Sequence, residues 1–303
     1  MDIDIIISVL RATLRQSTPI TLGALSGIFC EKAGVVNIAI EGMMLSAAYA
    51  GFMTNVFTGN LLLSVMVAML VGGLMGLLHA LLSVTFLVDQ IISGTVINIL
   101  AVGLTGYLYQ AGATTEGKLV PIEIPFLADI PIIGEVLFNN GPITYAGIAM
   151  VFITAFIFFR TTWGLRTRAV GEHPSAADTV GINVQQMRYA NVIIGGMIAG
   201  LAGAFLTLEA VGSFERLITN GRGFIALAAT IFGKWNPYGA WGAAILFGFT
   251  NALQTQLQFS GAVAIPHEFI GMLPYLLTVL VLAGFVGRAR PPAASGHPYQ
   301  TEG

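Results

Sequence analysis

The sequence predicts an all-α, polytopic transmembrane helical bundle. Of its 303 residues, 55% are hydrophobic and only 9% are charged, whereas soluble domains carry about 25% charged residues. No Asp, Glu, Lys or Arg occurs in residues 42–88, 90–115 or 235–266. Each of these runs is long enough for one or more helices of roughly 20 residues. Because the runs are apolar on every face, they predict helices rather than the short alternating strands of a membrane barrel.

The apolar segments vary in length, and several are too short to cross a bilayer alone. We therefore expect about eight segments, some of them broken or re-entrant. Residues 1–287 form this membrane domain, and 288–303 form a cytoplasmic tail. Arg11 and Arg15 lie one turn apart in a stretch that predicts an interfacial helix leading into the first span. The segments fall at about 17–30, 42–58, 61–86, 95–111, 142–160, 189–211, 224–233, 239–257 and 268–287.

Two polar, glycine-containing stretches interrupt the apolar pattern, at 31–42 and at 212–223. Irregular backbone at membrane depth persists only where it is packed in protein or lines a cavity, so these breaks predict a path for a solute. Intramembrane polar residues are functional candidates by default. The candidates for lining the path are Asn37, Glu41, Asn98, Phe214, Asn220 and Arg222.

Each candidate also has a structural alternative. Glu41 stands in the first turn of a helix, where backbone N–H groups stabilise a carboxylate. Asn98 lies on an apolar helix and is suited to a hydrogen bond between helices, as is His79. Phe214 is suited to packing as well as to stacking on a base. Local ion pairing is the alternative for the charged residues around the second break, which are Glu209, Glu215, Arg216 and Arg222.

The two breaks also resemble each other, which predicts a weak inverted repeat. Each is followed by a helix of small residues, an Asn/Gly turn at 58–60 or 235–239, and a glycine-rich helix. The first turn is uncharged and the second adjoins Lys234. The positive-inside rule therefore places the two turns on opposite sides of the membrane.

Loop charges predict the orientation. The loop 160–188 contains Arg160, Arg166, Arg168 and Arg188, so we place it in the cytoplasm. Residues 112–141 carry four acidic residues and one lysine, Lys118, and are predicted to be extracytoplasmic. We expect both termini to be cytoplasmic.

The cytoplasmic loop predicts a very short helix. Pro174 suits a first helical position and Gly181 a left-handed C-cap, while Asn183 is predicted to cap the following helix. Ala176, Ala177 and Val180 are predicted to share one face, suited to docking in a cleft of a cytoplasmic partner. An ordinary connecting loop with one helical turn is the alternative.

Composition and motifs exclude several functions. The net charge is −2 and no basic run occurs, which excludes a nucleic-acid surface. The single cysteine, Cys30, cannot form an internal disulfide, and no Cys/His cluster has the spacing of metal ligands. The sequence has no Gly-x-x-x-x-Gly-Lys-Ser/Thr phosphate loop. We therefore expect no catalytic residues, no metal and no cofactor.

Seven motifs distributed along the chain carry a family resemblance. They lie at 18–19, 34–45, 89–98, 164–178, 221–228, 232–237 and 273–276. Through them the chain resembles the permease subunits of ATP-binding-cassette (ABC) importers in the branched-chain amino acid, ribose and simple-sugar permease superfamily. The match is to the shorter of the two permeases in nucleoside-type importers. There are two small departures: His173 stands where the pattern has Asn, and Trp163 stands where the pattern varies.

The resemblance implies a translocation subunit that binds no ATP itself and lies in a bacterial plasma membrane. The implied partners are a second, longer permease, an ATPase with two nucleotide-binding domains, and a lipid-anchored binding protein outside the cell. Nucleosides are the implied substrates; ribose or another simple sugar, or ATP-independent secondary transport, are the alternatives. The short cytoplasmic helix would then be the coupling helix, with the residues Gly171, Glu172, His173, Pro174, Ser175, Ala176, Ala177, Asp178 and Gly181.

Overall fold

The computed structural model describes residues 3–115, 117–260 and 289–300, together with Met272 and Leu276. Apart from those two residues, the predicted segment 268–287 lies outside the described part. Eleven α-helices are described: α1 Ile3–Lys32, α2 Ile40–Thr58, α3 Leu61–Ala80, α4 Gln90–Leu108, α5 Ile133–Leu137, α6 Pro142–Arg160, α7 Thr162–Glu172, α8 Pro174–Thr179, α9 Val184–Ala204, α10 Arg222–Phe232 and α11 Pro237–Ser260.

The predicted all-α class is confirmed. In the described residues, the strands are confined to a two-residue antiparallel pair, β1 Ile122–Glu123 and β2 Asn139–Asn140. Short π-helical segments, Leu81–Thr85 and Phe205–Val211, extend α3 and α9.

Four of the described helical stretches are long and apolar enough to cross a membrane: Leu61–Thr85, Gln90–Leu108, Pro142–Arg160 and Val184–Val211. The helices α1, α2 and α11 are also long but less apolar, and α10 is a shorter apolar helix. The chain is therefore a multi-pass membrane protein.

Helix α1 runs without a break from the predicted interfacial stretch around Arg11 and Arg15 into the first span. That this stretch lies at the membrane interface stays a prediction. At 1.5 Å per residue, its 30 residues are about 45 Å long. Near its beginning, Arg11 pairs with Glu135 at 2.6 Å, in the segment that the sequence places outside the cell. At its end, the backbone of Lys32 lies against Gly171, in the loop predicted to be cytoplasmic.

The N-terminal end of α1 and the described tail, residues 289–300, therefore lie at opposite ends of the bundle. The tail contacts the loop 160–188, because the N–H of Ala294 donates to the carbonyl of Gly171 at 2.9 Å. The cytoplasmic placement of the two termini stays a prediction; what the structure shows is that α1 runs the length of the bundle before its first break.

The order of elements supports the predicted inverted repeat. Helices α2 and α3 are joined at Gly59 and Asn60, and α10 and α11 are joined at 233–236. The second turn lies at the same end of the bundle as the loop 160–188, because Trp235 donates from Nε1 to Glu31 Oε2 at 2.5 Å, beside Lys32, whose backbone lies against Gly171. The first turn lies at the other end, because the segment continuing α3 reaches Thr85, which is hydrogen-bonded to Tyr189 at the start of α9.

Glycines bring α3 and α9 into very close contact at the centre of the bundle. A Cβ atom on Gly72 would lie 2.7 Å from the Cα of Gly200, and one on Gly76 would lie 2.7 Å from the carbonyl oxygen of Val192. Small residues at four-residue spacing allow such an approach of helix backbones in membranes.

Candidate translocation site and coupling surface

Side chains of neighbouring helices form hydrogen bonds with the backbone of the first break. After α1 the chain turns at Gly34, whose φ is +84°, and enters a non-helical segment that ends at α2. The N–H of Val36 donates to Gln90 Oε1 at 2.6 Å, and its carbonyl is bonded to His79 Nε2 at 2.9 Å. Irregular backbone is thereby satisfied inside the bundle. The hydrogen bond between helices expected of His79 is confirmed, since its Nδ1 is also bonded to Ser93 on α4.

Two of the predicted site residues organise this break. The side chain of Asn98 accepts from the N–H of Gly42 at 2.7 Å and donates to the carbonyl of Ile38 at 3.0 Å. Asn98 therefore fixes the start of α2 from α4, as its structural alternative expects. Asn37 is fully buried and donates to the sulfur of Cys30 at 3.2 Å, and its Oδ1 has no hydrogen-bond partner among the residues that the structure describes.

Glu41 joins the two breaks. Its Oε1 accepts from the N–H of Gly221 at 2.8 Å, and its Oε2 accepts from the N–H of Gly223 at 2.6 Å. Glu41 lies in the first turn of α2, and the two glycines lie at the start of α10. The N-termini of two helices therefore meet with one carboxylate between them, where both helix dipoles stabilise its negative charge.

Gly223 makes this meeting possible. A Cβ atom at this position would lie 2.5 Å from the Cα of Glu41, so any side chain would separate α10 from α2. Gly221 has a φ of +77°, a conformation that glycine adopts readily.

The remaining predicted path residues are dispersed along the second break. Asn220 is exposed and has a φ of +46°. Arg222 donates from Nη1 to the carbonyls of Ile218 and Thr219. Phe214 is only 4% exposed and packs in the interior. Its ring centroid lies 5.2 Å from that of Tyr49, and 6.2 Å from those of Phe52 and Tyr109.

Tyr109 attaches the outer part of this break to the end of α4. Its hydroxyl donates to Glu215 Oε2 at 3.0 Å, and the guanidinium of Arg216 lies 4.9 Å from its ring centroid. The hydrogen bond to the carboxylate of Glu215 is the main reason why the pKa of Tyr109 is raised. Sequence reasoning missed Tyr109 because nothing local indicates a contact across 106 residues.

An open cavity of about 860 Å³ lies at the end of the bundle where Arg11 pairs with Glu135. The ion pairing expected among the charged residues of the second break does not occur within the described residues, where the one recorded ion pair is Arg11 with Glu135. Glu209 instead accepts from the N–H of Ile143 and from Thr144 at the start of α6. Charged residues lining the cavity are Arg11, Arg15, Lys118, Glu135, Glu209 and Arg222.

The short helix predicted in the loop 160–188 is confirmed as α8. It begins at Pro174, and Gly181 follows it with a φ of +84°. Asn183 Oδ1 accepts from the N–H of Gln186 at 2.8 Å and caps α9, as predicted.

The predicted shared face of α8 is wrong in one respect. Ala177 is only 3% exposed and packs on a cluster containing Val170, Val184 and Met187. Ala176 and Val180 are exposed on the outer side. Successive residues of a helix point about 100° apart, so Ala176 and Ala177 cannot present the same face. The exposed side chains in this region are those of Glu172, His173, Ser175, Ala176, Thr179 and Val180.

Two opposed breaks inside a multi-pass bundle are typical of membrane transport proteins. The chain belongs to the family described as branched-chain amino acid transport system/permease component, whose sequence model matches residues 9–282. It is a permease subunit of an ABC importer.

Several curated proteins are similar to this chain over nearly all of its length. The guanosine ABC transporter permease protein NupQ of Bacillus subtilis is 43% identical over 99% of this chain and 98% of its own length. The nucleoside ABC transporter permease protein NupC of Lactococcus lactis is 38% identical, with 94% of each chain covered. The putative glucose ABC transporter permease protein TsgC13 of Haloferax volcanii is 34% identical over 96% of this chain and 88% of its own.

Bacillus subtilis also has a more distant relative of this chain, the guanosine ABC transporter permease protein NupP, which is 27% identical over 91% of this chain. Two permease proteins with guanosine in their names thus occur in one organism. No solved structure matches the chain.

Proposed function

We propose that this chain is one of two permeases in a nucleoside importer of a bacterial plasma membrane. The observation that carries the proposal is the 43% identity to a guanosine permease over 99% of this chain. The NupQ and NupP pair supports a second permease as the partner. A lipid-anchored binding protein outside the cell would deliver the solute.

The polar interior is consistent with an uncharged, hydrogen-bonding solute. The two breaks bring the first turns of α2 and α10 together at Glu41, and Asn98 lies beside the start of α2. We propose that Asn37, Glu41, Asn98, Phe214, Asn220 and Arg222 line or shape the route between these breaks.

We propose that the exposed face of α8 docks on an ATPase with two nucleotide-binding domains, which binds the ATP. Ala176 and Val180 leave an exposed patch beside Glu172 and His173. The helix is fixed to the bundle through the buried side chain of Ala177, so a force on α8 would reach the membrane helices. This arrangement is suited to transmitting ATP-driven closure of the partner.

Uptake in native cells tests the substrate. Cells with the gene should accumulate labelled adenosine, guanosine or uridine, and cells without it should lose this uptake. An excess of unlabelled ribose should not compete, because the base is part of the recognised solute. Unchanged nucleoside uptake after deletion, with expression verified and no redundant carrier, would contradict the nucleoside assignment.

A sugar is the second candidate, favoured by the 34% identity to a putative glucose permease. In that case deletion would abolish uptake of labelled glucose or ribose and leave nucleoside uptake intact. The same deletion strain therefore separates the two candidates.

Replacing Ala176 with Arg tests the docking of α8. A long charged side chain at the interface between α8 and the ATPase would weaken their binding by several kcal/mol, because its charge would be desolvated without a partner. Uptake should therefore fall by at least about tenfold. The variant should still insert in the membrane, since Ala176 is exposed. Uptake and the amount of ATPase that co-purifies with the complex are measured together.

The matched control is Ala111→Arg, because Ala111 is an exposed alanine that follows α4 at the other end of the bundle. Its uptake should equal that of the unaltered protein. Normal uptake by the Ala176→Arg variant would contradict the docking of α8 on the ATPase.

A further inference from the structure

Residues 292–299, here called the strap, lie across the loop that contains α8. We propose that the strap keeps α8 in a fixed position relative to the first break and transmits movement of α8 to that break. Tyr299 is the main positioning residue. This inference rests on the proposed function, because it requires that α8 docks on an ATPase.

Four hydrogen bonds join the strap to the coupling loop and to α9. The N–H of Ala294 donates to the carbonyl of Gly171 at 2.9 Å, and that of Ala293 donates to Glu172 Oε2 at 3.2 Å. The hydroxyl of Tyr299 donates to Asp178 Oδ2 at 3.0 Å. The fourth runs from Arg188 Nη1 to the carbonyl of His297 at 3.1 Å. The strap therefore contacts the loop both before and within α8.

Tyr299 also contributes apolar contact. Its side chain packs against the same cluster that buries Ala177, which includes Val170, Val184 and Met187. One side chain of the strap thus packs on the cluster that includes Ala177 of α8, while its hydroxyl bonds to Asp178 on the same helix. A rotation of α8 would have to move Tyr299 with it.

The strap contacts Arg188, a buried cation whose surroundings are otherwise unfavourable for a charge. The side chain is only 1% exposed, and within the described part of the chain its Nε and Nη2 atoms have no hydrogen-bond partner. Burying a cation with unsatisfied donors costs free energy, and the carbonyl of His297 provides the hydrogen bond recorded for its guanidinium. The strap therefore contributes directly to the environment of this buried charge.

The strap also touches the first break. A Cβ atom on Gly34 would lie 3.0 Å from Arg188 Nη2 and 3.3 Å from the carbonyl oxygen of Ala294. Because Gly34 has no side chain, the backbone of the break lies directly against the strap. A contiguous set of contacts thus runs from α8 through Tyr299 and Ala294 to Gly34, and from there along the break to Glu41.

The test uses the complete importer complex in proteoliposomes, with the solute that the uptake experiment identifies, and two substitutions. Tyr299→Ala removes both the hydrogen bond and the apolar contact, and the number of ATP molecules hydrolysed per solute imported should rise by about tenfold, as expected for loss of one coupling interaction. Tyr299→Phe keeps the ring and loses one hydrogen bond, so a rise of about threefold is expected. The yield of complex and its basal ATP hydrolysis should be unchanged.

The control is Tyr107→Ala, because Tyr107 is 87% exposed and lies near the end of α4. An unchanged ratio in both Tyr299 variants, or a proportional fall of hydrolysis and import with the yield of complex, would overturn the role of the strap. If Tyr299→Ala does not assemble, the Tyr299→Phe ratio decides. Failure of the proposed function looks different, since no ATPase would then co-purify with the unaltered chain.

Discussion

Replacement of Glu41 by Ala is expected to abolish solute uptake. The carboxylate accepts hydrogen bonds from Gly221 and Gly223 and holds the start of α10 against the first turn of α2. Hydrogen bonds to a charged group contribute about 1.5–3 kcal/mol each, so losing both costs about 3 kcal/mol or more. The two breaks would then no longer be held together, and the N–H groups of half-buried Gly221 and buried Gly223 would lose their acceptor.

Uptake by membrane vesicles that contain the variant checks this result. Glu41→Gln should retain part of the activity, because its amide oxygen can accept one of the two hydrogen bonds while its NH₂ group faces the second donor. The control is Asp129→Asn, which neutralises an exposed carboxylate in the segment 112–141. Full uptake by Glu41→Ala would show that the contact between the breaks is dispensable.

The second large effect is expected for Gly72→Leu, which should prevent stable accumulation of the protein. A Cβ atom at this position already approaches the backbone of Gly200 to within 2.7 Å, and backbone atoms cannot move aside as side chains do. Overpacking costs about 1–3 kcal/mol in ordinary cores, and a backbone clash between two central helices lies at the upper end of that range. The amount of folded protein and its thermal stability in detergent measure the effect.

Gly103→Leu is the matched control, because no atom lies within 4 Å of a Cβ built on Gly103 of α4. Replacement of a helical glycine in open space should leave stability unchanged or slightly raised, since glycine is a poor helix former. Equal loss of protein in both variants would show that the contact between α3 and α9 is not the cause.

Local signals account for what the sequence predicted correctly. The apolar runs predicted the membrane helices, and the two polar stretches predicted the breaks. The limits of α8 were predicted from Pro174 and Gly181, and the cap of α9 from Asn183. These predictions succeed because capping depends on residues three or four positions apart. Each of these features is confirmed by the positions of the elements.

Contacts between distant parts of the chain could not be predicted in the same way. Glu41 and Gly223 are 182 residues apart, and Asp178 and Tyr299 are 121 residues apart. Such pairs arise from the packing of whole helices, which local sequence patterns do not reveal. The side of α8 that faces the protein was mistaken for the same reason, since Ala177 is buried by residues of α7 and α9.

The carboxylate between the starts of α2 and α10 also has a consequence for charge selection. A helix N-terminus is normally a ready site for phosphate or another anion, but here the N–H groups of Gly221 and Gly223 are already occupied by Glu41. The carboxylate of Glu41 would therefore repel a phosphorylated solute at this point. We therefore expect the point where the two helices meet to favour an unphosphorylated solute over a phosphorylated one.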